Sequence, residues 1–189
     1  METHPDSMCL RETNATRPRR KSMRYSLAAL ALLSVLVVPG CATSVKMESY
    51  KPKNADEAAI VSTLLRIPYG IKSRLMDVLM QPYADDVYVG NFQKYLGVAG
   101  PTAPLSISKK DLREVYTELF RASKEISMDV KDFQLTVTGE RATAEATTEL
   151  LLKLEGGRRE AKQQVFVNGV TWRLRRTAGG WKIVEEIWQ

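Results

Sequence analysis

The chain has 189 residues and a modest excess of positive charge, with 28 Lys and Arg against 22 Asp and Glu. It holds one histidine, His4, and two cysteines, Cys9 and Cys41. Zinc sites and nucleophile–base catalytic pairs depend largely on His and Cys. The chain downstream of Cys41 has neither residue, so we exclude such sites there.

A basic stretch, an apolar run and a cysteine follow one another near the start of the chain. Residues 17–24 are rich in arginine, Leu27 to Val38 is apolar apart from Ser34, and Gly40 and Cys41 follow. A membrane-spanning helix needs about 20 apolar residues, which is longer than this run. The layout predicts an export signal over residues 1–40. Residues 1–22 are interpreted as an over-extended start or a long polar leader.

With Cys41 directly after Gly40, this segment resembles a bacterial lipoprotein signal. The resemblance implies lipidation of Cys41, cleavage before it, and a membrane anchor in the cell envelope with the domain facing the periplasm. Ala42, rather than Asp, follows the cysteine, and this implies the outer membrane rather than the inner one. The alternative is an ordinary secretory signal in which Cys41 plays no part.

Cleavage before Cys41 would leave a tether and one domain. Residues 41–54 are polar and predict a lipidated tether, while residues 55–189 are long enough for one domain with its own core. Much of the positive charge lies upstream of Cys41, so we expect no nucleic-acid partner. Without Cys or His in the domain, we expect no disulfide, no metal site and no cofactor.

The first part of the domain has helical patterns. A helix is expected to begin near residues 54–56, with an apolar face from Ile60 to Ile67. Pro68 and Gly70 are expected to interrupt it. A second helix is then expected from Ile71 to near Pro82.

A less regular region follows the second helix. We expect a turn at residues 83–86, a short strand at residues 87–89 and a long loop at residues 91–107. Ser108 predicts the capped start of a third helix, because Asp111 completes a capping box.

From Glu125 onward the apolar residues alternate with a period of two. The apolar residues shift from even-numbered to odd-numbered positions near Lys131-Asp132. Such a shift requires a bulge or bend in the strand. Turns are expected at Gly139-Glu140 and at Gly156-Gly157. Between them, even-numbered residues from Ala142 to Leu154 mark one face of a long strand.

The next strand pattern changes parity again. Val165 and Val167 are odd-numbered, whereas residues 170–174 place their apolar side chains at even numbers. Asn168-Gly169, at the change, predicts a hairpin turn or a bulge within one strand, and we favour the bulge. The last strand is expected at residues 181–188.

These elements define the class α+β. Three N-terminal helices are expected to pack on an antiparallel sheet. Two parity changes in long strands imply strong curvature. We therefore expect a cone-shaped domain that encloses a pocket.

Two motifs resemble the nuclear transport factor 2-like (SnoaL-like, cystatin-like) superfamily. They are Tyr83-Ala84-Asp85-Asp86-Val87 and the terminal hairpin Arg175–Val184, with Gly179-Gly180-Trp181 at its turn. The resemblance covers residues 55–189. It implies the fold more than a function, because the superfamily includes isomerases, dehydratases, hydrolases and binding domains.

The resemblance implies a pocket with no assigned catalytic residue. Asn91 occupies the position of the general base in ketosteroid isomerase-like members, and an amide cannot act as that base. Tyr69 falls near the position of the family's oxyanion-hole tyrosine. Tyr88, Tyr116 and Trp172 are the other candidates for ligand binding. Asp85 and Asp86 are interpreted as turn and capping residues.

Basic residues also cluster on the last two hairpins. They predict a solvated sheet face or, alternatively, contact with anionic lipid headgroups or an acidic partner. The residues are Arg158, Arg159, Lys162, Arg173, Arg175 and Arg176.

Two functions from different classes remain open. The first is a non-catalytic envelope lipoprotein that binds an apolar small ligand or an envelope protein, with a homodimer through the sheet as a further expectation. The second is a small-molecule lyase, isomerase or hydrolase that works through a buried Asp or Glu and a tyrosine. A carboxylate that points into the pocket with a raised pKa would favour the second function, and a surface position of every Asp and Glu would exclude it.

Overall fold

The structure is a computed structural model that describes residues 44–95, 106–154 and 163–189. The helices are a short 3-10 helix η1 (Met47–Ser49), α1 (Ala55–Ser73), α2 (Met76–Met80), α3 (Phe92–Tyr95) and α4 (Lys109–Ala122). The strands are β1 (Tyr83–Gly90), β2 (Ser106–Ile107), β3 (Ser123–Thr138), β4 (Arg141–Leu154), β5 (Gln163–Thr177) and β6 (Gly180–Trp188).

The six strands form one curved sheet in the order β2-β1-β6-β5-β4-β3. All neighbouring strands are antiparallel except β1 and β6, which are parallel. The predicted α+β class is confirmed. The helical region is more divided than predicted, because α3 lies within the expected loop at residues 91–107.

Helix α1 begins where expected but ends later. Asn54 is its N-cap, and its side-chain oxygen accepts a hydrogen bond of 2.9 Å from the backbone N–H of Glu57. The expected interruption at Pro68 and Gly70 is wrong, because α1 continues to Ser73. Pro68 and Gly70 are buried, and packing of α1 on β3 and α2 outweighs the local cost of proline.

The second helix is correspondingly short. Residues 71–73 were expected to begin the second helix, but they are the last residues of α1. Helix α2 spans only Met76–Met80. Gly70 allows the two helices to approach closely, since a Cβ there would lie 2.7 Å from the backbone nitrogen of Leu79.

The capped start of α4 is confirmed. Ser108 is the N-cap, and its backbone N–H donates to the Asp111 carboxylate over 3.0 Å. The bulge in β3 is confirmed as well. The register with β4 shifts between Lys131 and Gln134, and Asp132 has a φ of 55°.

The predicted bulge in β5 is wrong. Strand β5 is continuous, and its pairing with β4 runs through Asn168 and Gly169 without a register shift. Val165 and Val167 are exposed by 47% and 61%, so they lie on the outer face. Phe166, which packs against the core, is the inward residue of this part of the strand.

The segment before α1 packs on the domain. The backbone N–H of Phe133 donates to the carbonyl of Val45 over 3.2 Å, and the side chain of Met47 is only 1% exposed. The Tyr50 ring meets the Phe133 ring edge-on at 5.1 Å. Residues 45–54 of the predicted tether are therefore part of the folded structure, whereas Cys41 lies outside the described residues. Within those residues, no helix is long and apolar enough to cross a membrane.

Candidate functional site

A buried carboxylate, Glu186, lies at the centre of the sheet's inner face. Strand β6 turns it inward through a bulge: Ile183 pairs with Leu174 and Glu185 pairs with Arg173, so Val184 is an extra residue. The bulge changes the parity of the strand. Trp181 and Ile183 point inward before it, and Glu186 and Trp188 point inward after it.

Three aromatic side chains donate hydrogen bonds to Glu186. The hydroxyl of Tyr83 and the indole N–H of Trp172 both donate to Oε2, each over 2.8 Å. The indole N–H of Trp188 donates to Oε1 over 3.0 Å. Glu186 is only 1% exposed, so these donors replace the water that the carboxyl group would otherwise bind.

Burial raises the pKa of Glu186 above its ordinary value, and the three hydrogen bonds act in the opposite direction. Burial disfavours the charged form of a carboxyl group, whereas donors favour it. The group is thus a buried acid that is more easily protonated than an exposed glutamate.

Two further tyrosines extend the cluster toward α3 and α4. The hydroxyls of Tyr95 and Tyr116 lie 2.9 Å apart and share a hydrogen bond. The Tyr95 ring stacks on Trp188 with centroids 4.1 Å apart. Burial raises the pKa of both tyrosines, so their hydroxyls stay neutral and act as hydrogen-bonding groups.

This cluster fills the place where a pocket was expected. All five aromatic residues around Glu186 are less than 2% exposed: Tyr83, Tyr95, Tyr116, Trp172 and Trp188. None of the main cavities lined by described residues reaches Glu186. Without access, the carboxyl group cannot exchange a proton with a bound molecule in this conformation.

A cleft on the surface lies between α1, η1 and β3. Its volume is about 510 Å³. Leu65, Pro68, Tyr69 and Met128 supply its apolar lining, and charged residues, among them Glu48, Lys72, Glu125 and Asp129, stand around them. Tyr69 is 58% exposed there. The cleft therefore offers an aromatic ring and apolar contacts to a molecule from solution.

The residues predicted from sequence divide between these two places. Tyr116 and Trp172 belong to the buried cluster, and Asn91 lies beside it, where its side-chain amide donates to the carbonyl of Trp188 over 3.1 Å. Tyr69 lines the surface cleft. Tyr88 is 48% exposed on β1. The structure thus does not bring the five candidates together, and their role in binding stays a prediction.

Sequence reasoning missed Glu186, Tyr83 and Tyr95. Strict alternation from Ile183 would place Glu186 outward, and only the bulge reverses this. Tyr83 was assigned to a turn, but it is the first residue of β1. Tyr95 lies in α3, within the predicted loop. The signal available for Glu186 was the acidic pair Glu185-Glu186 inside an otherwise mostly apolar strand that holds two tryptophans.

The paired acids after α2 stay at the surface. Asp85 forms an ion pair with Lys109 at 2.8 Å, and Asp86 lies 3.6 Å from Arg175. The Lys109 ammonium lowers the pKa of Asp85. Among the described residues, no group of three or more acidic side chains could hold a metal ion.

The basic cluster is partly paired. Arg173 pairs with Glu185, and Arg176 lies 3.1 Å from Asp56 at the start of α1. The other predicted members, Arg158, Arg159 and Lys162, lie outside the described residues.

Comparison with known proteins identifies the family. A family model for the SnoaL-like domain matches residues 80–186, which is more than half of the chain and includes the whole stretch from Tyr83 to Glu186. The chain belongs to the SnoaL-like family. A comparison with curated proteins finds no match.

Solved structures share the fold at low sequence identity. The Kfla4162 protein from Kribbella flavida is 18% identical, with a TM-score of 0.60 over 71% of this chain and 89% of that one. A nuclear transport factor 2-like protein with a cystatin-like fold from Novosphingobium aromaticivorans is 16% identical, with a TM-score of 0.53 over 70% and 80%.

An enzyme-related name also occurs among the similar structures. A ketosteroid isomerase-like protein from Erwinia carotovora atroseptica is 18% identical, with a TM-score of 0.52 over 71% of this chain and 95% of that one. At such identities these likenesses show the fold alone.

Proposed function

We propose that this protein is an envelope lipoprotein whose SnoaL-like domain binds a small ligand without catalysing a reaction on it. Lipidation of Cys41 would anchor it, in the outer membrane rather than the inner one, with the domain facing the periplasm. The sequence resemblance at residues 38–41 supports the anchor.

The observation that carries the non-catalytic proposal is the closed cluster around Glu186. Its carboxyl group is satisfied by Tyr83, Trp172 and Trp188 and is 1% exposed. A general base needs a substrate within hydrogen-bond reach. The cluster instead has the properties of a buried polar network that fixes the packing of the core.

The surface cleft supplies the binding part of the proposal. Tyr69 is the exposed aromatic side chain in its lining, and the partly buried Leu65 adds apolar surface. An apolar or aromatic group of a small molecule fits against these side chains, and the charged and polar residues that make up about half of the lining would orient its polar groups. Val165 and Val167 are exposed on the outer face of the sheet. A protein partner would bury this apolar surface, and so would a second copy of this chain in the proposed homodimer.

Native mass spectrometry of the processed chain, purified from bacterial envelopes, tests both parts. We expect an acylated N-terminus at Cys41 and a retained small molecule. Tyr69→Ala should lose that molecule, whereas Tyr88→Ala, which removes a comparably exposed tyrosine from β1, should keep it. A free N-terminus elsewhere would refute the anchor. Equal retention of the molecule by the two variants would refute binding in the cleft.

A second candidate function is a small-molecule lyase, isomerase or hydrolase. The observation that favours it is Glu186 itself, a buried carboxyl group with a raised pKa beside the Tyr83 hydroxyl. The test measures whether the Glu186 carboxyl group is accessible in the folded protein. If the cluster opens, a carbodiimide should modify Glu186 without unfolding. Modification only after unfolding would exclude this function.

A further inference from the structure

The segment Val45–Asn54 packs on the domain and begins close to Cys41 in the sequence. Val45 is already fixed, because its carbonyl accepts the hydrogen bond from Phe133 on β3. Met47 is buried beside it. Val45, which is held on the domain in this way, lies only four residues after the proposed lipidation site.

Glu57 fixes the other end of this segment. Its carboxylate accepts hydrogen bonds from the Tyr50 hydroxyl over 3.0 Å and from the Lys53 backbone N–H over 2.8 Å. Its own N–H donates to the Asn54 cap. These bonds lower the pKa of Glu57, with the Lys53 N–H as the main cause, so the carboxylate holds its charge and its partners at neutral pH.

Covalent geometry then limits the distance between the lipid and the domain. An extended chain advances at most about 3.6 Å per residue, so four residues reach about 14 Å. A lipidated Cys41 would hold Val45, and with it the edge of β3, within that distance of the bilayer surface.

The same segment carries a net positive charge on its exposed side chains. Lys46, Lys51 and Lys53 are all exposed, and Glu48 is the acidic residue among them. Basic residues close to an anionic bilayer are attracted to it, and the attraction falls off within a Debye length. The short reach keeps these lysines inside that range.

We propose that this anchor-side segment, Lys46–Lys53, docks flat on anionic phospholipid headgroups, so that the domain lies against the membrane with a fixed orientation. The proposal rests on the lipid anchor proposed above. Each positive charge favours the surface by about fivefold, and Glu48 offsets about one lysine, so the segment favours the docked orientation by about twenty-five-fold.

A thiol reporter on the segment tests the docking. The chain has only two cysteines, Cys9 and Cys41; the first is removed with the signal and the second is acylated. The variant Ser49→Cys places a single thiol among the three lysines without changing them. Glu114→Cys, exposed on α4, is the matched control.

The lipidated variants are purified, checked by mass spectrometry and reconstituted into vesicles of phosphatidylcholine alone or with phosphatidylglycerol. A membrane-impermeant maleimide is then added. On anionic vesicles we expect Ser49→Cys to react about twenty-five-fold more slowly than in detergent. About 1 M salt should restore the rate because it shortens the Debye length to about 3 Å. Glu114→Cys should react equally in every condition.

Three results would overturn the proposal in different ways. An unprotected Ser49→Cys in a chain shown to be acylated would refute the docking and leave the anchor intact. Equal protection on uncharged vesicles would refute the role of the lysines, as would full protection after Lys46→Gln, Lys51→Gln and Lys53→Gln. A chain without an acyl group would refute the anchor, and the docking with it.

Discussion

The substitution Glu186→Gln tests the account of the buried cluster most directly. Glutamine has the shape of glutamate, but one of its two terminal atoms is a donor. If its oxygen takes the Oε2 position, it accepts from Tyr83 and Trp172, and its NH₂ group then faces the Trp188 indole N–H across the 3.0 Å contact. Indole can only donate, so one buried donor stays unsatisfied.

The protonated glutamate meets the same difficulty at another atom. If its O–H at Oε2 donates to the Tyr83 hydroxyl oxygen, its oxygens still accept from Trp172 and Trp188, but the Tyr83 O–H loses Glu186 as its acceptor. An unsatisfied buried polar group costs about 1–3 kcal/mol. Because each side chain then leaves one buried donor unsatisfied, we expect wild type and Glu186→Gln to differ by less than about 1 kcal/mol in free energy of unfolding at a pH where Glu186 is protonated.

The pH dependence should distinguish the two proteins further. The pKa of Glu186 is raised in the folded state above its ordinary value of 4.5. Its contribution to stability is thus fully present below pH 4.5 and is lost as the pH rises through the folded-state pKa, at up to about 1.4 kcal/mol per pH unit. Glutamine does not titrate, so the wild-type stability should fall below that of Glu186→Gln as the pH rises, and the two curves should diverge.

Urea unfolding followed by circular dichroism, from about pH 5 to about pH 8, measures both curves. Glu57 and Asp85 have lowered pKa values. Such groups stabilise the fold above their unfolded pKa, so their contribution to the free energy of unfolding is lost as the pH falls, mainly below this range. The exposed Glu145→Gln on β4 is the control. A constant difference between wild type and Glu186→Gln across this range would refute the raised pKa.

Two further substitutions test how the scaffold is built, each by urea unfolding. Gly70→Ala should destabilise the fold by about 1–3 kcal/mol, because its Cβ would lie 2.7 Å from the backbone nitrogen of Leu79 and force α1 and α2 apart. Unchanged stability would mean that the two helices can separate freely. Asp132→Val should destabilise by about 1–2 kcal/mol, because Asp132 has a φ of 55° in the β3 bulge. Asp132→Gly should lose little stability, and equal losses in the two variants would assign the effect to the missing carboxylate.

The α+β class and the β3 bulge were predictable from the sequence, because they depend on local periodicity. The capped start of α4 was predictable for the same reason, since Ser108 and Asp111 contact each other directly. Such features need no knowledge of distant residues.

The errors arose where tertiary contacts decide the outcome. Pro68 stays inside α1 because the helix is packed on both β3 and α2. Val165 and Val167 have strong β-propensity but lie on the outer face, and propensity alone does not say which face is buried. The inward turn of Glu186 depends on pairing β6 with β5, two strands whose register the sequence does not give.

The position of β6 has a consequence for the order of folding. This strand, the last in the described chain, lies between β1 and β5 and is the link that joins β1 and β2 to the rest of the sheet. Its partner β1 was made about a hundred residues earlier, and contacts of such long sequence separation form slowly. The sheet can therefore close only after Trp188 has left the ribosome. A chain destined for an export channel would benefit from this delay, because it would reach the channel before its native sheet is complete.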